Sequence, residues 1–180
     1  LAPPVLVAVE QLRLPVPGGI GTAARGLLLG LAQFAPQTRW GVVLYASAPA
    51  GRAVSAPQDD PLWAFDLPIL ISPYPSWMAT RLWERGFGGP KEALSLVHAT
   101  SFHYPPSAAP LVSTVHDLLW RHVPTAYTAH GRRWHEAALG RVARSAGAFV
   151  VPSTEVAHDL RDALGDTREI EVIPWGSDHL

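Results

Sequence analysis

Short uninterrupted apolar runs alternate with longer stretches of helical periodicity along the whole chain, and few architectures accept that pattern. Residues 5–9 (Val, Leu, Val, Ala, Val) are apolar at every position. A strand of that kind needs cover on both faces, which parallel sheets supply because their crossover helices lie on the faces. Residues 40–46, 92–99, 111–115, 149–151 and 171–173 are further strand candidates. Residues 67–71 form another, confined to a sheet edge by Pro68, which has no N–H to give a ladder. Helices are expected over 22–34, where Leu27, Leu28, Leu31 and Phe34 share a face, and over 76–85, closed by Gly86. Two more are expected over 125–146 and from Ser153, a good N-cap, to Leu164. Residues 48–61 suggest a polar connection, with Asp59 and Asp60 as surface residues. The fold class that results is α/β: a mainly parallel sheet of roughly six or seven strands flanked by helices, the first strand near its middle.

Composition narrows the function. The 180 residues suffice for one core of ordinary size. Charged residues make up only 16% of the chain, below the roughly 25% of ordinary domains. Either a partner or second domain covers part of the surface, or the surface is simply weakly charged. Fourteen Lys and Arg face fifteen Asp and Glu, a formal charge of -1. That balance argues against nucleic acid, whose binding rests on phosphate neutralisation. There is no cysteine, so disulfides, thiol nucleophiles and thiolate metal sites are excluded. No apolar run approaches the ~18 residues of a membrane span. Residues 5–9 lack the basic leader and long apolar stretch of a signal peptide.

Two motifs carry chemistry. Gly18, Gly19 and Gly21 follow the first strand and precede a helix expected to start near Thr22. Glycines there let a phosphate or sugar approach free helix N–H groups; they would equally serve a tight strand-to-helix turn. A dinucleotide fingerprint fits poorly, because position 24 is Ala, the turn is long and holds prolines, and Tyr45, Ala46 and Ser47 stand where an acidic residue belongs. His116 and Asp117 follow the strand at 111–115, where ligands of open α/β sheets bind. They could contact a sugar or satisfy a local loop. His98 and His103 flank another strand end, so one of them is expected in the same crevice. No H-E-x-x-H or G-x-S-x-G pattern occurs, and no metal site is expected.

Taken in order, the glycine turn, Thr114 to Leu118, the arginine-bearing helix end at 141–146, Val150 to Ser153, and Val172 to Asp178 resemble family 4 glycosyltransferases along nearly the whole chain. The resemblance implies one half of a GT-B fold: residues 1–174 as a Rossmann-like acceptor-side domain, 175–180 as the start of an interdomain linker, and a donor domain beyond the chain. It implies a retaining enzyme that moves a hexose from a nucleotide-diphosphate sugar to a sugar, lipid-linked sugar or polysaccharide precursor, without a cofactor. His116 would reach the transferred sugar and Asp117 would support its loop. Gly18, Gly19, Gly21 and Ser153 would face the donor's diphosphate and sugar. The family usually has Asn where this chain has Trp175 and Val where it has Ser177. The implied location is cytoplasmic, with contact at the inner membrane face, and the isolated domain is expected to self-associate and to lack activity. Other readings of the residues are a different nucleotide- or sugar-phosphate-binding enzyme domain, or a non-catalytic binding domain. Trp63, Tyr74, Trp77, Trp83, Phe102 and Tyr104 could stack on a sugar or lipid, or serve packing.

Overall fold

A computed structural model describes residues 2–34, 41–49, 60–165 and 168–176. Its centre is a seven-stranded sheet in the order β3-β2-β1-β4-β5-β6-β7. The strands are β1 (Val5–Ala8), β2 (Val42–Ala48), β3 (Ile69–Pro75), β4 (Leu96–Ala99), β5 (Leu111–Thr114), β6 (Ala146–Val151) and β7 (Glu169–Val172). Every neighbouring pair is parallel. β1 stands beside the central strand β4, and β3 is an outer strand, as Pro68 requires.

Among the described residues five helices accompany the sheet: α1 (Gly18–Phe34), α2 (Ser76–Trp83), α3 (Leu119–His122), α4 (Ala129–Ser145) and α5 (Thr154–Leu164). Their faces follow from connection handedness. The chain runs outward from β1 to β2 to β3, then jumps back to β4 and continues outward the other way. Right-handed crossovers place connections of opposite travel on opposite faces. Accordingly Val7, Val9, Leu44 and Ala46 pack with Leu28 of α1 and with Leu62 and Phe65 of a 3-10 segment at Pro61–Phe65. Leu6, Ala8, Val97 and Phe149 pack on the other face with Trp83, Leu139, Val142 and Leu160 of α2, α4 and α5. Successive residues of β1 thus serve two cores.

Several boundaries differ from the sequence reading: β3 and β6 run longer than expected, β7 starts earlier, and α2 ends at Trp83. α1 begins at Gly18, so the glycines form its first turn instead of preceding it. The strand expected over 92–99 is confined to Leu96–Ala99. The helix expected from residue 125 starts at Ala129, because the Thr128 hydroxyl accepts from the Gly131 N–H and caps it; a 3-10 turn at Pro124–Ala126 lies ahead.

Asp60 is the clearest correction. It is 2% exposed, and its carboxylate takes both terminal nitrogens of Arg13 and the Leu62 N–H. Arg13 also donates to the Ser47 carbonyl, while the fully buried Glu10 accepts from the Ser47 N–H and hydroxyl. Two carboxylates and a guanidinium therefore tie the β1–α1 connection to the end of β2. Asp59 lies outside the described residues.

Candidate functional site

Travel along the sheet reverses between β1 and β4, and open α/β sheets bind ligands outside the carboxyl ends of the strands at such a reversal. Beyond β1 lies the glycine turn; beyond β4 lies Thr100. The Thr100 hydroxyl and N–H both donate to the Ala8 carbonyl, at 2.8 and 3.3 Å. The Thr100 carbonyl accepts from Nε2 of His116, at 2.8 Å, just past β5. Three strand ends are thereby linked in one chain of hydrogen bonds.

That bond fixes the histidine. A carbonyl only accepts, so Nε2 carries the proton. Burial lowers the His116 pKa, against smaller upward pulls from the Thr100 bond and from Asp117. The ring is neutral near pH 7, and Nδ1 is left as an acceptor. Asp117 folds back on its own loop, its Oδ1 accepting from the Leu119 N–H at 2.9 Å at the start of α3.

Among the described residues no helix covers β4 to β6 on the face bearing α1, and the crevice beside α1 has a volume of about 430 Å3. His98, Thr100, Thr114, His116 and Val150 form its floor, and residues from Ala23 to Phe34 of α1 form one wall. His98 lies 2.9 Å from the Thr114 hydroxyl, and burial, reinforced by His116, pushes its pKa down to about 4. Trp175 closes one end, its ring 5.2 Å from that of His116. Of the two expected histidines, His98 joins the crevice; His103 faces a cleft on the opposite side of the sheet.

The glycines divide by role. Gly18, at φ 63, and Gly19 are exposed, with nothing within 4 Å of an added Cβ. Gly21 is buried, and its Cβ would stand 2.2 Å from the Pro17 Cβ, so the turn itself demands glycine there. The α1 wall of the crevice starts at Ala23, one turn beyond. Ser153 caps α5 by accepting from the Val156 N–H. Thr100 escaped the sequence reading, since its link to His116 runs through its backbone carbonyl; Trp175 was noted there only as a departure from the family's Asn, and the structure brings its ring against His116. Of the aromatic candidates, Trp83 is buried, Tyr74, Phe102 and Tyr104 pack against the core, and Trp63 and Trp77 stay exposed. Among the described residues no group of three His, Asp or Glu could hold a metal, and no helix is long and apolar enough to cross a membrane.

The family model "Glycosyltransferase Family 4" matches residues 17–179. No curated protein sequence matches the chain. Among solved structures, Anabaena Alr3699/HepE in complex with UDP superposes with TM-score 0.56 at 16% identity over 97% of this chain and 44% of that one. The same Anabaena protein with UDP and glucose gives 0.54 at 15% identity over 98% and 45%. The chain thus spans less than half the length of these structures, and at such identity the likeness speaks for the fold.

Proposed function

The chain belongs to glycosyltransferase family 4, and from that premise we propose that it is the acceptor-side domain of a retaining GT-B enzyme that transfers a hexose from a nucleotide-diphosphate sugar to a carbohydrate or glycolipid acceptor. A second, donor-binding domain completes the site across the carboxyl edge of the sheet. The coverage of less than half of each matched structure supports that division. The enzyme works in the cytoplasm, at the inner membrane face where the acceptor is lipid-linked.

The observation that carries the reading is the fixed tautomer of His116. With Nε2 committed to Thr100, Nδ1 can accept a hydroxyl proton of the transferred sugar and hold the ring of the donor in place while its bond to phosphate breaks. Asp117 keeps the loop that presents His116, and Gly18 and Gly19 leave room for a diphosphate at the first turn of α1. Leu29, Phe34, Ile173 and Trp175 form an exposed apolar rim, a face expected to self-associate in the isolated domain.

The test is steady-state kinetics on the full-length enzyme. His116→Ala should lower kcat and kcat/KM together by about a hundredfold, roughly 3 kcal/mol of transition-state stabilisation, with the enzyme still folded by circular dichroism. His116→Asn should recover part of the rate, since an amide still accepts. Near-normal turnover of a well-folded His116→Ala enzyme would remove His116 from the reaction. Residues 1–180 alone should transfer no sugar.

A further inference from the structure

The sheet carries a second cleft, on the face opposite His116. Each of the other outward crossovers on that face has a helix, but the β4–β5 connection is an extended, proline-rich segment, and a gap of about 330 Å3 opens between α2 and α4. The volume lies at the small end of the range for small-molecule sites. Its walls are Thr80, Trp83 and Glu84 from α2 and its end, Phe102 to Ser107 from the segment, and Arg141 and Arg144 from α4.

We infer that this cleft binds a hexose bearing one oxyanion, phosphate or carboxylate. Arg141 and Arg144 stand one helical turn apart, against the single carboxylate of Glu84. Arg141 gives Glu84 one nitrogen, at 2.8 Å, and the rest of its fork is uncommitted. Arg144 has no polar partner among the described residues. Among the described residues no backbone carbonyl of α2 accepts from Arg141 or Arg144. One positive charge is left over. A guanidinium pair offers an oxyanion several charge-assisted hydrogen bonds.

The remaining lining suits a polyhydroxylated ring. The Tyr104 hydroxyl has no partner among the described residues, and the Ser107 hydroxyl accepts from Ala109 while keeping its own proton to give. His103, against Trp134, has its pKa lowered chiefly by burial, so its ring both donates and accepts near pH 7. Phe102 supplies flat apolar surface, and the largely buried Trp83 lies in the wall behind. The cleft is also preformed. Gly89 lies so close under the Pro106 carbonyl that an added Cβ would overlap it, and the Gly88 carbonyl accepts from both the Trp83 indole and the Tyr45 hydroxyl.

This site is independent of the proposed transfer reaction, and binding is measurable on the 180-residue chain. In isothermal titration calorimetry, glucose 6-phosphate and glucuronate should each bind at least tenfold more tightly than glucose or inorganic phosphate. The tighter of the two anions identifies the headgroup. Arg144→Gln, on an exposed residue, should weaken that binding by about tenfold, the value of one charge-assisted bond, without shifting the melting temperature. His116→Ala should leave it unchanged. Glucose or phosphate binding as tightly as the combined ligand, full affinity in Arg144→Gln, loss of affinity in His116→Ala, or no binding by either anion at millimolar concentration would each overturn the assignment.

Discussion

Acidification should destabilise this domain largely through His98. Its ring sits on β4 beside the Thr114 hydroxyl, and burial followed by the proximity of His116 holds its pKa at about 4. In the unfolded chain the same ring titrates near 6.5. The folded state therefore binds fewer protons than the unfolded state between those values, and stability falls as pH drops through that window. The contribution is complete above about pH 6.5 and exhausted below about pH 4. At about pH 5 the linkage relation gives a loss of about 2 kcal/mol, an upper figure because the ring keeps an edge open to the crevice. For a chain of this size that is roughly 4–8 °C in Tm. His103 and His116, whose pKa values are also lowered mainly by burial, act in the same direction. The assay is urea denaturation followed by circular dichroism at about pH 7 and pH 5. His98→Gln keeps a hydrogen bond to Thr114 but cannot titrate, so its loss between the two conditions should be smaller than wild type by up to about 2 kcal/mol. Equal losses in both proteins would refute the reasoning.

Two further substitutions test the β1–α1 connection. Gly21→Ala should cost about 1–3 kcal/mol, because its Cβ would collide with Pro17, whereas Gly19→Ala, facing open space in a helix, should be neutral or stabilising by up to about 1 kcal/mol; thermal melts showing equal effects would contradict this contrast. Arg13→Met leaves the Asp60 carboxylate buried without its cation and should cost about 3–5 kcal/mol in chemical denaturation, and a loss under about 1 kcal/mol would show that the ion pair is dispensable.

The sheet was legible because parallel strands covered on both faces are apolar at consecutive positions, as residues 5–9 and 149–151 are. Pro68 marked an outer strand for the same backbone reason that put it there. The carboxyl end of β5 was legible too, since His116 and Asp117 interrupt the apolar run there. What was missed depends on contacts between distant segments. Asp60 looked exposed because its neighbours are polar, and only the fold brings Arg13 to it. The bond that sets the His116 tautomer comes from a backbone carbonyl, which carries no side-chain signature. Gly21 looked like its neighbours in sequence and differs from them only in what Pro17 does to the space beside it.

The strand order also dictates when the sheet can close during synthesis. β1 leaves the ribosome before every other strand of the sheet, yet one of its two neighbours, β4, follows some ninety residues later, a gap marked by the Thr100–Ala8 hydrogen bond across 92 positions. At cellular elongation rates that interval is on the order of ten seconds. Throughout it β1 can pair only with β2, and its other edge offers unpaired N–H and C=O groups on a strand apolar toward both faces. The nascent chain is thus most prone to aggregation before Leu96–Ala99 emerges, and chaperone occupancy should fall once that strand docks.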